Sequence, residues 1–272
     1  MSMNVKLITY TPDPEKVVAA AAKLCYSTSD IDSLMSGLTP DKVNVFLGKL
    51  TSLGHFSPLE HVSFTFGIEG VSRSLLAQIT RHRVGASFSV QSQRYCDMSK
   101  SDMVTPYRIE SDGEAMEVFR QAMQSADTAY RHLHKILEDK YTEELLVDEP
   151  RLTEMKARVK AAKMANEDAR SVLPNACPTK MIVTMNAREL YHFFQLRCCQ
   201  RAQDEIRNLA NKMLKLVYPI APHIFADAGP ACCAGACPEG GMSCGNALEM
   251  KHWYLALKNE WRVAQNGNIQ PD

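Results

Sequence analysis

Arg81, His82, Arg83 and Arg94 crowd into one short stretch, RHRVGASFSVQSQRY (Arg81–Tyr95), directly after the apolar text of Val71–Thr80. No other feature narrows the possible folds as much, because the chain must fix these charges at the end of a packed element and still leave them accessible. Ser87, Ser89, Gln91, Ser92 and Gln93 are interleaved with them. Guanidinium groups present planar forks of donors to phosphate or carboxylate oxygens, and hydroxyls beside a glycine allow close approach. The stretch reads as an anion-binding wall, the alternative being a solvated basic loop.

Such a patch has to be local. The 272 residues carry 31 Lys plus Arg against 31 Asp plus Glu, so the formal charge is zero. That balance is not the overall excess of a nucleic-acid-binding chain. A hydrophobic fraction of 45% with 23% charged residues belongs to an ordinary globular protein with a large core. No apolar run approaches the roughly 20 residues that span a bilayer. The polar start MSMNVKLITYTPDPEK is unlike a secretory signal and indicates a cytoplasmic protein without membrane attachment. Of nine cysteines, Cys25, Cys96, Cys177, Cys198 and Cys199 lie in apolar or helical text, where cysteine acts as a small hydrophobe.

Taken in order, Asn4–Thr9 reads as a strand, Glu15–Cys25 as a helix opened by Pro14, Ser27–Asp32 as a polar turn and Pro40–Leu53 as a second helix. In GHFSPLEHVSFTFGIEG, Val62, Phe64, Phe66 and Ile68 alternate with polar or small residues, the pattern of a strand buried on one side. His55, Ser57, Glu60 and His61 precede it. Their spacing suits hydrogen-bonding groups at a pocket edge better than a zinc site. Ser72–Arg83 reads as a helix that would set Gln78, Arg81 and His82 on one side near its end. Long helices are indicated over Gly113–Lys140 and Pro150–Ala169.

Further on, Met181–Met185 alternates as a strand, Asn186 ends it, and Ala187–Arg197 and Ala202–Val217 are helices. Arg197, preceded by FFQL, sits among hydrophobic neighbours, where an unpaired charge would be costly. It calls for an anionic or carbonyl partner. No linker interrupts this text, so residues 1–225 read as one catalytic domain and residues 226–272 as its extension.

In combination, RHR followed by SQRY, the preceding GHFSPLEHVSFTF, and the downstream ARSVLP, NAREL, FFQLR and AQDEIR resemble the flavin-dependent thymidylate synthase family, in order and across Gly54–Arg207. The resemblance implies an α/β (α+β) fold with a central, mainly antiparallel sheet flanked by long helices. It implies reductive methylation of dUMP to dTMP, with FAD as hydride carrier, methylenetetrahydrofolate as carbon donor and NADPH as reductant. It also implies a homotetramer with active sites where subunits meet. Another flavin- or nucleotide-dependent enzyme on the same fold, and a nucleic-acid-binding module using RHR with Phe88 and Tyr95, are the alternatives. A GxGxxG fingerprint is missing, so the flavin is not expected on a Rossmann unit.

By the same resemblance, Ser57, Arg81, His82, Arg83, Asn186, Arg188 and His192 would contact FAD, with His55 beside the flavin. Gln78, Arg81, Ser92, Gln93, Arg94, Arg170 and Arg197 would hold dUMP. Arg197 would be the catalytic residue, stabilising the negative charge that develops on the activated uracil ring. Ser92 has no Ser-His-acid arrangement around it and is assigned to phosphate rather than to nucleophilic attack. Eight residues separate Arg83 from Ser92 here, against seven in the family pattern, which puts Val90 or Gln91 where relatives carry Glu or Gln. A bulge at Gly85 would absorb the extra residue. Near the end, GPACCAGACPEGGMSCG places Cys232, Cys233, Cys237 and Cys244 among glycines without paired CxxC knuckles. Reduced thiols are favoured there over a zinc site or a disulfide, and no metal ligands are assigned. A final helix is expected over Ala247–Val263.

Overall fold

The computed structural model describes residues 2–99 and 101–266. The chain opens with strand β1 (Asn4–Tyr10) and helices α1 (Pro14–Leu24), α2 (Ile31–Ser36) and α3 (Pro40–Ser52). The polar text after α1 is a turn only as far as Asp30. There the carboxylate accepts a hydrogen bond from the Ser33 backbone N–H at 2.8 Å, and this cap starts α2, which the sequence reading leaves as turn. Strand β2 (Ser63–Ser72) leads straight into α4 (Arg73–Ile79). That helix is shorter than expected. Beyond Ile79 the hydrogen bonds tighten, with His82 N–H donating to the Ile79 carbonyl at 3.0 Å, and the chain turns. Arg81 and His82 therefore stand on a turn and not on a helix face.

Gly85 has a φ of 75°, the left-handed backbone that glycine accepts without a Cβ clash, and from there the chain enters β3 (Ala86–Val90). This strand is a correction to the loop read from composition. Ala86, Phe88 and Val90 are half-buried and alternate with exposed Ser87 and Ser89. A short turn of helix, α5 (Tyr107–Glu110), precedes the hairpin of α6 (Gly113–Asp148) and α7 (Glu154–Ala169). Strand β4 (Pro178–Asn186), helices α8 (Ala187–Arg197) and α9 (Asp204–Val217), and α10 (Ala247–Asn266) complete the order. The four strands form one antiparallel sheet in the order β1-β2-β4-β3, the mixed helix and sheet class that the sequence indicates.

The residues gather into two compact units. One holds Asn4–Ile68, Gln78–Ser89 and the described residues from Ile182 onward. Its core joins the buried face of β2 to α8 and the segment after α9. The Phe64 and Phe225 rings meet edge-on with centroids 5.7 Å apart, and Phe194 adds a third ring 5.9 Å from Phe225. On the other face Thr65 and Thr184 share a hydroxyl hydrogen bond at 2.9 Å across β2 and β4.

The second unit holds residues 2 and 3, Glu69–Ala77 and Val90–Met181. Ala157, Ala161, Ala165 and Ala169 recur every four residues along α7, all fully buried. A stripe without bulky side chains brings the backbones of α6 and α7 close together. The Tyr130 hydroxyl, buried on α6, donates to Asn166 on α7 at 3.1 Å and accepts from the Met98 N–H. A phenol inside a core needs such partners.

Candidate functional site

The first unit carries a cleft of about 1190 Å³, its wall made from the turn after α4, from α8, and from the segment between α9 and α10. Arg81, His82, Arg83, Asn186, Arg188, His192 and Arg197 all line it. His55 and Ser57 are exposed on either side of the lining residue Phe56. Gln78 enters through its main chain, whose carbonyl accepts from the Arg197 Nη2 at 3.4 Å, while its side-chain amide bonds to Gln203. The other expected substrate residues belong to the second unit. There Gln93 is buried against the Cys177 sulfur at 3.2 Å, Arg94 makes an exposed pair with Glu167 at 3.3 Å, Ser92 accepts from the Arg94 N–H, and Arg170 caps the end of α7.

Helix α8 organises the cleft. The Asn186 side chain caps it, accepting from the Glu189 N–H at 2.8 Å, so the helix N-terminus is fixed where the strand ends. Leu190, Phe193 and Phe194 point into the core, while Arg188 and His192 face outward. Arg197 closes the helix, where the carbonyl end of the dipole favours a cation. Gly85 faces this cap: its carbonyl accepts from the Asn186 N–H at 2.9 Å, and a Cβ on it would collide with the Asn186 side chain.

One buried chain of polar groups runs through the wall. Glu189 Oε1 lies 2.8 Å from His82 Nδ1, and Arg197 Nε donates to His82 Nε2 at 3.0 Å. His82 is 5% exposed and Glu189 8%, so neither is solvated. Burial, followed by the nearby charge of Arg81, pushes the Arg197 pKa below its ordinary value, yet a guanidinium remains a cation at neutral pH. Arg188 and Arg201 are exposed and ion-paired, with Glu60 and Glu239 respectively. Among the described residues Arg81 and Arg83 have no side-chain partner, which leaves two open guanidinium groups in the cleft.

The sequence reading missed Glu189. Its place three residues after the capping Asn186 is that of a capping-box carboxylate, which would fold back on the helix start. Here it turns to His82 instead. The signal that could have found it is the same residue's position about two helical turns before Arg197 on the same side of the helix, inside apolar text. Cys199, Cys232, Cys237 and Cys244 also line the cleft. All nine cysteines are free, and burial pushes the Cys232 thiol pKa up. Among the described residues no three His, Cys, Asp or Glu side chains gather as a metal site. Cys198 packs in the core, as expected, with its pKa pushed up to about 12 by burial.

Residues 6–223 match the family model of the thymidylate synthase complementing protein. A flavin-dependent thymidylate synthase of Clostridium tetani is 52% identical over 94% of this chain and 98% of that protein, and one of Geobacter sulfurreducens is 49% identical over 94% and 99%. Among solved structures, a UMP/dUMP methylase from Streptomyces cacaoi bound with 5-Br dUMP has the same fold, with a TM-score of 0.60 at 22% identity over 84% of this chain and 96% of that one. A flavin-dependent thymidylate synthase from Helicobacter pylori complexed with FAD and dUMP gives a TM-score of 0.53 at 22% identity, covering 83% and 99%.

Proposed function

The chain belongs to the flavin-dependent thymidylate synthase family, and on that premise we propose that it converts dUMP to dTMP by reductive methylation, with FAD as hydride carrier, methylenetetrahydrofolate as carbon donor and NADPH as reductant. The observation that carries the reading is the pair of guanidinium groups, Arg81 and Arg83, without side-chain partners among the described residues, beside the half-buried and oriented Arg197 in one cleft. Such a donor set answers a phosphate and a ring carbonyl together.

The cleft fits FAD in size and chemistry. Its volume of about 1190 Å³ exceeds the range of roughly 300–1,000 Å³ typical of small-molecule sites. The open arginines suit a pyrophosphate. Arg81, His82, Arg83, Asn186, Arg188 and His192 would line the cofactor, with His55 and Ser57 at its edge. Bound FAD supplies the hydride chemistry. The chain's residues supply position and charge. Arg197 offers its Nη groups to the uracil carbonyl and ring nitrogen, where negative charge develops as the ring is activated. Gln78, and from a neighbouring subunit of the proposed homotetramer Ser92, Gln93, Arg94 and Arg170, would complete the nucleotide contacts, the exposed Arg94–Glu167 pair being weak enough to release its arginine to a phosphate.

The same reading takes residues 1–225 as the catalytic portion and 226–272 as an extension, a division supported by the end of the family match at residue 223. It takes the enzyme as a cytoplasmic homotetramer with shared active sites. Among the described residues no helix is long and apolar enough to cross a membrane.

The test is an anaerobic absorbance experiment on FAD-supplemented protein. Bleaching of the flavin band by NADPH should accelerate with dUMP, and dTMP should form once methylenetetrahydrofolate is added. Tight FAD binding with no dUMP dependence would sink the proposal in favour of another flavin enzyme on this fold.

A further inference from the structure

The hydrogen bonds around His82 determine its protonation state. An arginine Nε–H can only donate, so His82 Nε2, 3.0 Å from Arg197 Nε, accepts with its lone pair. The ring is then neutral with its proton on Nδ1, and that proton points at Glu189 Oε1 at 2.8 Å. The reverse tautomer would set N–H against N–H at Arg197 and leave a buried carboxylate facing a lone pair. Both faults would fall on the nearly fully buried His82 and Glu189, where unpaired polar groups are expensive.

Geometry explains why a histidine is needed. Glu189 and Arg197 sit on the same helix eight residues apart, about 12 Å along its axis at 1.5 Å per residue. The long Glu189 and Arg197 side chains converge on His82, which arrives from the turn after α4, packs edge-on against Phe193 with centroids 5.0 Å apart and takes one of them on each ring nitrogen. His192 lies 5.8 Å away ring to ring on the other side. With Nε held by His82 and Nη2 by the Gln78 carbonyl, the guanidinium plane cannot rotate, and its remaining N–H groups are left for the cleft.

We propose that Glu189 is a positioning residue for the reaction: acting through the Nδ1-protonated form of His82, it fixes the Arg197 guanidinium in the orientation that meets the substrate pyrimidine. The proposal rests on the dUMP reading above, but its first test does not. In the ligand-free protein labelled with ¹⁵N-histidine, His82 should show a pyrrole-like Nδ1 and a pyridine-like Nε2. A proton on Nε2 in the wild-type spectrum overturns the proposal whatever the enzyme's substrate. That measurement also stands if a variant fails to fold.

The second test compares Glu189→Leu, which removes the acceptor, with Glu189→Gln, which keeps one. In Glu189→Leu the His82 signals should move toward the Nε2-protonated form. Binding of dUMP, followed by calorimetry, should weaken roughly tenfold or more, the size of one lost hydrogen bond to a charged group. The loss should appear in the KM for dUMP as well as in kcat, and Glu189→Gln should recover most of it. Unchanged His82 signals and dUMP affinity in a folded Glu189→Leu protein would refute the positioning role. Wild-type protein that shows the expected tautomer but binds no dUMP would instead refute the substrate reading and leave the Glu189–His82–Arg197 arrangement standing.

Discussion

At the scale of single residues, the site depends on donors whose geometry, more than their charge, is specified. Arg197 illustrates the difference. Its Nε and Nη2 are committed to His82 and to the Gln78 carbonyl, so only a planar fork can hold both and still present donors to a ligand. Arg197→Lys keeps the positive charge and loses the fork. Its kcat should fall about 10²–10³-fold, the usual cost of one misplaced donor to developing negative charge, while FAD absorbance of the purified protein stays unchanged. Wild-type turnover in that variant would mean that charge alone suffices. Gly85 makes a second residue-scale case. Its φ of 75° and the Asn186 side chain above it leave no room for a methyl group. Gly85→Ala should lose about 1–2 kcal/mol or more in urea unfolding, the cost of a left-handed backbone before the collision is added. Equal midpoints for variant and wild type would show that the turn can adopt another conformation.

At the scale of elements, the legible parts were those with strong periodicity. The alternation of Phe64, Phe66 and Ile68, the three-or-four spacing of α6, and the start of α8 at Asn186 all specify their structures locally. The elements misread were those in which composition masked the pattern. The serines of Ala86–Val90 suggested a loop, although Ala86, Phe88 and Val90 keep the period of a strand. The helix before it stopped at Ile79 because the turn to Gly85 takes over the hydrogen bonds, and no stop residue announces that in the sequence. Helix α10 shows what burial adds beyond pattern. Its Lys258 is 3% exposed and donates to the Ala226 and Ala228 carbonyls, and burial pushes its pKa down to about 8 from an ordinary 10.5. Between those values the unfolded chain binds the proton that the folded chain has released, so this lysine's contribution to stability rises with pH across the interval. The gain should be about 3 kcal/mol at most by pH 10.5, from roughly 1.4 kcal/mol per unit. Urea unfolding of wild type and Lys258→Met at pH 7.5 and 9.5 isolates it, since other titrations cancel in the difference. Wild type should gain stability relative to the variant at the higher pH, and a constant difference would contradict the burial argument.

At the scale of the molecule, zero net charge concentrates all anion affinity in local clusters, and this is why the sequence revealed the guanidinium residues but not their supports. Arg81, Arg83 and Arg197 stand out in the text because cations near apolar segments need a reason. Glu189, Glu60 and Glu239, which hold or balance the arginines of the cleft, look like ordinary helix and loop acids until the chain is folded. The expected substrate residues also divide by unit: Arg81 and Arg197 line the cleft of one, and Ser92, Arg94 and Arg170 lie in the other. The proposed homotetramer with shared sites makes a definite statement about such a division. If each active site takes Arg197 from one chain and Arg94 from another, two inactive variants, Arg197→Ala and Arg94→Ala, carry complementary defects. Randomly mixed after reversible dissociation in equal amounts, their subunits would rebuild about a quarter of the sites with both arginines intact, because closed symmetric assemblies present each interface independently. Activity of the mixture should then rise to about a quarter of the wild-type value, while each variant alone stays near zero. Light scattering on the same samples verifies that the assembly has four chains. If the mixture stays inactive although labelled subunits have demonstrably exchanged, each site must draw both arginines from a single chain, and the shared-site proposal fails while the dUMP chemistry remains open to its own spectroscopic test.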